Sequence, residues 1–150
     1  MRKLCSLFVA LLATIALEAA DFHVDGISYN FLNDSNVAVT YLGRWAGDSY
    51  AYTGEIIIPS TVIHNNTSYN VTSIGVEAFK SCSSLTSVTI GNNVTSIGDY
   101  AFYGCSSLTS IIIPDNVVSI GYRAFEGCSF ISVTIGDNVK SIGDWAFHSC

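Results

Sequence analysis

The stretch Val94-Thr95-Ser96-Ile97-Gly98-Asp99-Tyr100-Ala101-Phe102-Tyr103-Gly104-Cys105-Ser106-Ser107-Leu108-Thr109-Ser110-Ile111-Ile112-Ile113 decides how this chain is read, because most of it is written again on either side. Ile74, Ile97, Ile120 and Ile142 each precede a glycine, and Phe79, Phe102, Phe125 and Phe147 each follow an alanine. The successive spacings are 23, 23 and 22 residues. Cys82, Cys105, Cys128 and Cys150 keep the same register, and strand-like runs at 85–90 and 108–113 follow the first two. The third copy, at 129–135, is one residue short. Self-similarity at a fixed period of this length is the mark of a solenoid, in which one coil cannot bury its apolar face alone and stacks on its neighbours.

The pattern Leu-x-x-Val/Ile-x-Ile, then Pro or Gly, then Asn-Val-x-Ser-Ile-Gly-x-x-Ala-Phe-x-x-Cys resembles the 23-residue leucine-rich repeat of BspA-like surface proteins, over residues 54–150. The resemblance implies an α/β class of fold: a mainly-β leucine-rich-repeat solenoid of short parallel strands and short helical turns, here preceded by an N-terminal antiparallel β cap. It also implies an extracellular, non-enzymatic protein associated with adhesion or host contact. No ligand-binding motif comes with the repeat, so no binding residue is carried over.

At 150 residues, 49% hydrophobic and 12% charged, the chain is apolar for a soluble domain. Part of that excess lies at the start. Arg2-Lys3, an apolar run from Leu4 to Leu17, then Glu18-Ala19-Ala20 reads as a signal peptide over residues 1–20. The run is shorter than the roughly 20 residues of a membrane span. Without residues 1–20 the chain keeps 4 basic and 11 acidic residues, a net charge of −7. Such a surface has no patch for neutralising phosphates, which argues against nucleic-acid and anionic-membrane partners; no membrane insertion of the mature chain is expected.

The period is absent from residues 21–53, where the strand-like runs Phe22–Phe31 and Val37–Leu42 flank the turn residues Asn33-Asp34-Ser35-Asn36. This segment is read as a β cap over the first coil, with Tyr41, Trp45, Tyr50 and Tyr52 filling it rather than forming a carbohydrate platform. The solenoid then occupies 54–150, about four coils with the last incomplete. Its first coil carries an excursion between Val62 and Val71, with Asn65-Asn66 at the tip, that reads as a small hairpin.

Within a coil, Leu85, Val88 and Ile90 should point inward from a strand, with Val94 and Ile97 on another side and Ala101 and Phe102 turned in through a short helical turn. The cysteine register behaves like a small buried apolar residue or a weak donor to a backbone carbonyl, with one disulfide or a metal as the alternatives. Zinc favours short Cys-x-x-Cys pairs, which are missing, and metal: none is the reading taken. No histidine and carboxylate recur beside the Ser and Thr residues, so no catalytic residue is assigned and no cofactor is implied.

Comparison among the copies sorts the remaining positions. The two residues after each Ile-Gly vary freely, as Val76-Glu77, Asp99-Tyr100, Tyr122-Arg123 and Asp144-Trp145. The position after each Ala-Phe varies as Lys80, Tyr103, Glu126 and His148. These registers are expected to form an exposed ridge with Tyr100, Tyr103, Tyr122, Arg123 and Trp145 as the candidate binding residues, of types enriched at binding hot spots. The strand face, by contrast, reads as a uniform Ser/Thr sheet. The expected partner is an extracellular protein or glycan, host matrix included. The chain stops at Cys150 in mid-repeat, which reads as a piece of a longer array whose open end stacks end to end with further repeats. A structural spacer, or an accessory module of a longer surface protein, is the competing role.

Overall fold

The computed structural model describes residues 20–41 and 52–150. The expected leader at 1–20 therefore lies, except for Ala20, outside the described residues, as do Trp45 and Tyr50. At the N-terminus β1 (Phe22–Val24), β2 (Ile27–Phe31) and β3 (Asn36–Thr40) form an antiparallel meander. Asp25 and Gly26, with φ of 49° and 80°, make the tight β1–β2 turn.

The coils follow. One side of the solenoid stacks β4 (Gly54–Ile58), β7 (Leu85–Ile90), β9 (Ser110–Ile113) and β11 (Ser132–Ile135), with parallel ladders between β4 and β7 and between β9 and β11. The other side stacks β6 (Thr67–Ile74), β8 (Ser96–Ile97), β10 (Ser119–Ile120) and β12 (Ser141–Ile142) in parallel. The excursion in the first coil is the hairpin expected: β5 (Thr61–His64) pairs antiparallel with β6, and Asn65 and Asn66 both adopt left-handed φ at its tip.

The cap is less foreign to the repeat than its sequence suggests. β3 pairs in parallel with β6 and sets Asn36 beside Asn70, Val37 beside Val71 and Val39 beside Ile74. Asn36-Val37 thus supplies the Asn-Val of a first, incomplete coil, so the period reaches into the segment 21–53.

The inward registers are those predicted. Leu85, Val88, Ile90, Val94, Ile97, Ala101 and Phe102 are all buried. The phenylalanines form one column: Phe79, Phe102 and Phe125 stack at 4.8 and 5.1 Å with rings 2° and 5° from parallel, and Phe147 continues it at 5.1 Å. At the other end Tyr52 tilts against Phe79 at 4.6 Å. Its hydroxyl donates to the Thr40 carbonyl (2.8 Å) and accepts from the Ser28 amide (2.9 Å), so one buried side chain closes the column and ties it to the cap.

The expected helical turn after each Ile-Gly is absent; no helix occurs among the described residues. The amides explain why. Those of Ala78, Lys80 and Cys82 turn back to the carbonyls of Gly75, Glu77 and Phe79, whereas those of Glu77, Phe79 and Ser81 donate to Asp99, Ala101 and Tyr103 of the next coil at 2.7–3.0 Å. A helix would aim every amide along its own axis. Here every second one is taken by the neighbouring coil, and left-handed φ at Glu77 and Ser81 lets the peptide planes alternate. The same two registers are left-handed in the later coils, at Tyr100 and Gly104, Arg123 and Gly127, and Trp145 and Ser149.

The bend glycines answer to crowding rather than to φ. A Cβ on Gly98 would lie 2.8 Å from Gly75 C and Val76 N, and one on Gly121 only 2.5 Å from the Asp99 amide. Gly104 is the opposite case, with φ +70° but nothing nearer than 3.8 Å. Replacing Gly121 by Ala should therefore cost about 3 kcal/mol, since backbone must give way, against about 1 kcal/mol for Gly104→Ala, where only the left-handed φ is paid. Denaturant titration of both variants checks the ranking, and equal midpoints would contradict it.

Candidate functional site

Left-handed φ at Tyr100, Arg123 and Trp145 sets these residues at one outer corner of successive coils. Tyr103 and Tyr122 join them: Tyr100 meets Tyr122 edge-on at 5.4 Å and Tyr103 at 5.7 Å. The Arg123 guanidinium lies 5.1 Å from the Tyr122 ring centre and 5.4 Å from that of Trp145. All five candidate residues thus share one contiguous row. The cations Lys80 and Arg123 are built into it, Lys80 5.4 Å from the Tyr100 ring and paired with Glu77.

The row is less exposed than the sequence reading held. Tyr100, Tyr103, Tyr122 and Arg123 are half-buried, and only Trp145, at 51% exposure, stands clear. Tyr100 and Tyr122 meet across neighbouring coils and Tyr103 packs on Tyr100 within its own coil, so varied residues here are still packed ones. The left-handed backbone recurs at Glu77, outside the row, and so belongs to the coil rather than to a strained site.

Arg123 is paired but not hydrogen-bonded: its Nε and Glu126 Oε2 are buried and lie 3.2 Å apart without hydrogen-bond geometry, and His148 Nδ1 approaches the second Glu126 oxygen at 3.6 Å. His148 also packs on Trp145, with ring centres 4.5 Å apart. The phenol of Tyr100 is pushed above its ordinary range by desolvation and by neighbouring Tyr122. The row offers three tyrosine rings, one open indole and one paired guanidinium.

The cysteine register forms a second column. Cys82, Cys105, Cys128 and Cys150 are free thiols, the first three buried. Cys105, Cys128 and Cys150 each donate to the carbonyl of the phenylalanine one coil earlier, Phe79, Phe102 and Phe125, at 3.1, 3.3 and 3.1 Å. Burial raises the pKa of Cys82 and Cys150, and the adjoining Cys128 thiol together with burial raises that of Cys105. A protonated donor is what the carbonyls need, and a thiolate nucleophile is disfavoured. Among the described residues no group of three or more His, Cys, Asp and Glu stands ready to hold a metal.

Two features escaped the sequence reading. The strand face is not uniformly Ser/Thr: Ile57 and Ile112 point outward at 70% and 69% exposure and alternate along the sheet with Thr89 and Thr134. Three successive isoleucines at 56–58 and 111–113 were the available signal, since a period of two must turn the middle one outward. The second feature is an amide ladder. Asn70 Nδ2 donates to Asn36 Oδ1 and Asn93 Nδ2 to Asn70 Oδ1, both at 3.3 Å, while Asn116 Nδ2 donates to the Asn92 carbonyl. This ladder edges a polar groove of about 570 Å³ with Thr72, Thr95, Asp115 and Lys140. The amide protons are spent on neighbouring coils, so the ladder serves stacking.

The comparisons with known proteins agree with the coil. The family profile described as "BspA type Leucine rich repeat region (6 copies)" matches residues 72–150, just over half of the chain. A leucine-rich repeat protein from Bacteroides ovatus is similar at 32% identity and a TM-score of 0.61, over 85% of this chain and 38% of that one. A leucine-rich cell surface protein from Faecalibacterium prausnitzii is similar at 27% identity and a TM-score of 0.61, over 86% of this chain and 40% of that one. This chain thus spans about two fifths of the length of each. A leucine-rich repeat protein from T. pallidum shares the fold, with 21% identity, a TM-score of 0.62, and coverage of 86% and 67%. No curated protein shows significant similarity.

Two outcomes follow from the thiol column and the buried phenols. Iodoacetamide on the native chain should label Cys150 first and reach Cys82, Cys105 and Cys128 only after denaturation, read by peptide mass; equal labelling rates would remove the buried column. Burial also raises the pKa of Tyr29 and Tyr52. Above about pH 8.5 for the thiols and about pH 10 for the phenols the unfolded chain releases these protons while the folded chain keeps them, so stability falls as pH rises. The denaturation midpoint should stay level from about pH 6 to 7.5, begin to fall near pH 8.5 as the unfolded thiols ionise, and drop further by pH 10 as the phenols follow.

Proposed function

The chain belongs to the BspA-type leucine-rich repeat family, and on that premise we propose that it is an exported, non-catalytic binding module whose aromatic ridge takes an extracellular protein or glycan. The observation that carries this reading is the contiguous row Tyr100, Tyr103, Tyr122, Arg123 and Trp145, built in registers that the coils leave free to vary. Tyr, Trp and Arg dominate binding hot spots because they combine large apolar area with a polar handle. Arg123, paired with Glu126 and set against two ring faces, loses little freedom on binding. Trp145 offers the open face on which a sugar ring or an apolar side chain can stack.

Export rests on the charged start, apolar run and small residues of 1–20. The similar protein from Faecalibacterium prausnitzii is a cell surface protein, which supports the same location here. A second reading, a spacer or an accessory module of a longer surface protein, is favoured by one observation: the chain covers only 38% and 40% of two similar proteins.

An array of matrix glycoproteins and glycans, probed with the purified chain, tests both. Saturable binding should weaken about thirtyfold or more in the folded double variant Tyr100→Ala/Trp145→Ala, the loss that two hot-spot side chains carry. Absence of binding by the well-folded chain would favour the spacer.

A further inference from the structure

Among the described residues the first coil keeps one sheet edge unpaired. β4 bonds to β7 along one side, and among the described residues no strand pairs with its other side. Exposed edges are usually blunted by charge, proline or a bulge facing outward, because their free amides and carbonyls template further strands. β4 carries part of this protection: Glu55 is its single charge, Pro59 follows its last residue and its pairing with β7 is irregular between Gly54 and Glu55, yet Ile57 stands 70% exposed beside the edge.

A concavity of about 550 Å³ lies along this edge, between the β1–β2 turn and the start of β5. Its apolar lining includes Val24, Ile27, Ile56, Ile57, Val62 and Ile63, and Ile63 is 67% exposed. The two charged residues of its wall, Asp25 and Glu55, are both exposed acids, and among the described residues no lysine or arginine lines it.

We propose that this edge and groove form a second binding site, which takes an extended segment of a partner protein as an added strand. The partner's backbone pairs with the free edge of β4, an aliphatic side chain enters the groove, and a lysine or arginine of the partner meets Asp25 and Glu55. Strand addition draws its affinity from main-chain hydrogen bonds and its selectivity from alternate side chains, which are the two things this site presents. A glycan has no aliphatic side chains for the groove, and a lipid tail leaves the edge amides unpaired. A second copy is disfavoured by charge, since the chain is acidic at −6 and the groove is acidic too. The site stands apart from the aromatic ridge, on the strand side of the first coil.

Fluorescence anisotropy with a labelled, end-capped hexapeptide alternating valine and lysine tests the proposal on the whole chain. Two further peptides carry N-methyl groups on the odd or on the even amides, with side chains and charge unchanged. A strand bonds to an edge through one set of amides only, so one methylated peptide should bind like the parent and the other at least tenfold more weakly. Ile57→Lys should weaken the parent peptide about tenfold and Glu55→Gln severalfold, both with unaltered melting, while Tyr100→Ala/Trp145→Ala leaves it unchanged. Equal binding of all three peptides would reduce the effect to charge attraction and overturn the proposal. So would an absence of saturable binding, or self-association in sedimentation that Ile57→Lys abolishes, which would assign the edge to a second copy.

Discussion

Coils held at hydrogen-bonding distance, about 4.8 Å, are the constraint on which the rest of this structure depends. The phenylalanine column repeats at 4.8–5.1 Å because the backbones that carry it are bonded at that spacing. The glycines after each isoleucine follow from the same distance: a single methyl on Gly98 or Gly121 would strike the backbone of the coil before. The cysteine column follows as well, with Cys105, Cys128 and Cys150 each reaching back one coil to a phenylalanine carbonyl. A longer spacing would leave gaps between rings, orphaned carbonyls and room at the glycines, all at once.

Such stacking divides the side chains into two populations. Inside, a residue must match its copies above and below, so phenylalanine, cysteine and alanine recur. Outside, a residue need only tolerate its neighbour, and chemistry varies from coil to coil. The tyrosine, arginine and tryptophan row belongs to this second population, yet it is half-buried because adjacent coils bring its members within ring contact. Rigidity and variation are thereby combined in one place, which is what a binding surface on a solenoid requires.

The same constraint leaves the first coil asymmetric. On one side β3 of the cap supplies a neighbour, with Asn36 and Val37 in the register of the repeat. The column between the two sides is closed by Tyr52, whose hydroxyl is satisfied by the cap. On the strand side β4 has no such neighbour among the described residues, and exposed isoleucines gather there. Among the described residues capping is thus carried through where the aromatic column would otherwise be open, and no strand covers the outer edge of β4.

Much of this was legible in the sequence, and for a physical reason. Each coil is a copy, so comparing the copies, together with the spacing of apolar residues within one coil, separates registers that must match from registers that need not and sets Phe102, Cys105, Val94 and Ile97 inward. The hairpin tip at Asn65-Asn66 and the membership of the aromatic row were readable in the same way. Tertiary structure alone decided the turn after each Ile-Gly, the half-burial of the row and the open edge of β4. Those depend on where a neighbouring coil needs an amide, how closely it approaches and whether it is there at all. Local sequence carries the propensities of one coil, while the direction of a shared hydrogen bond is settled between two.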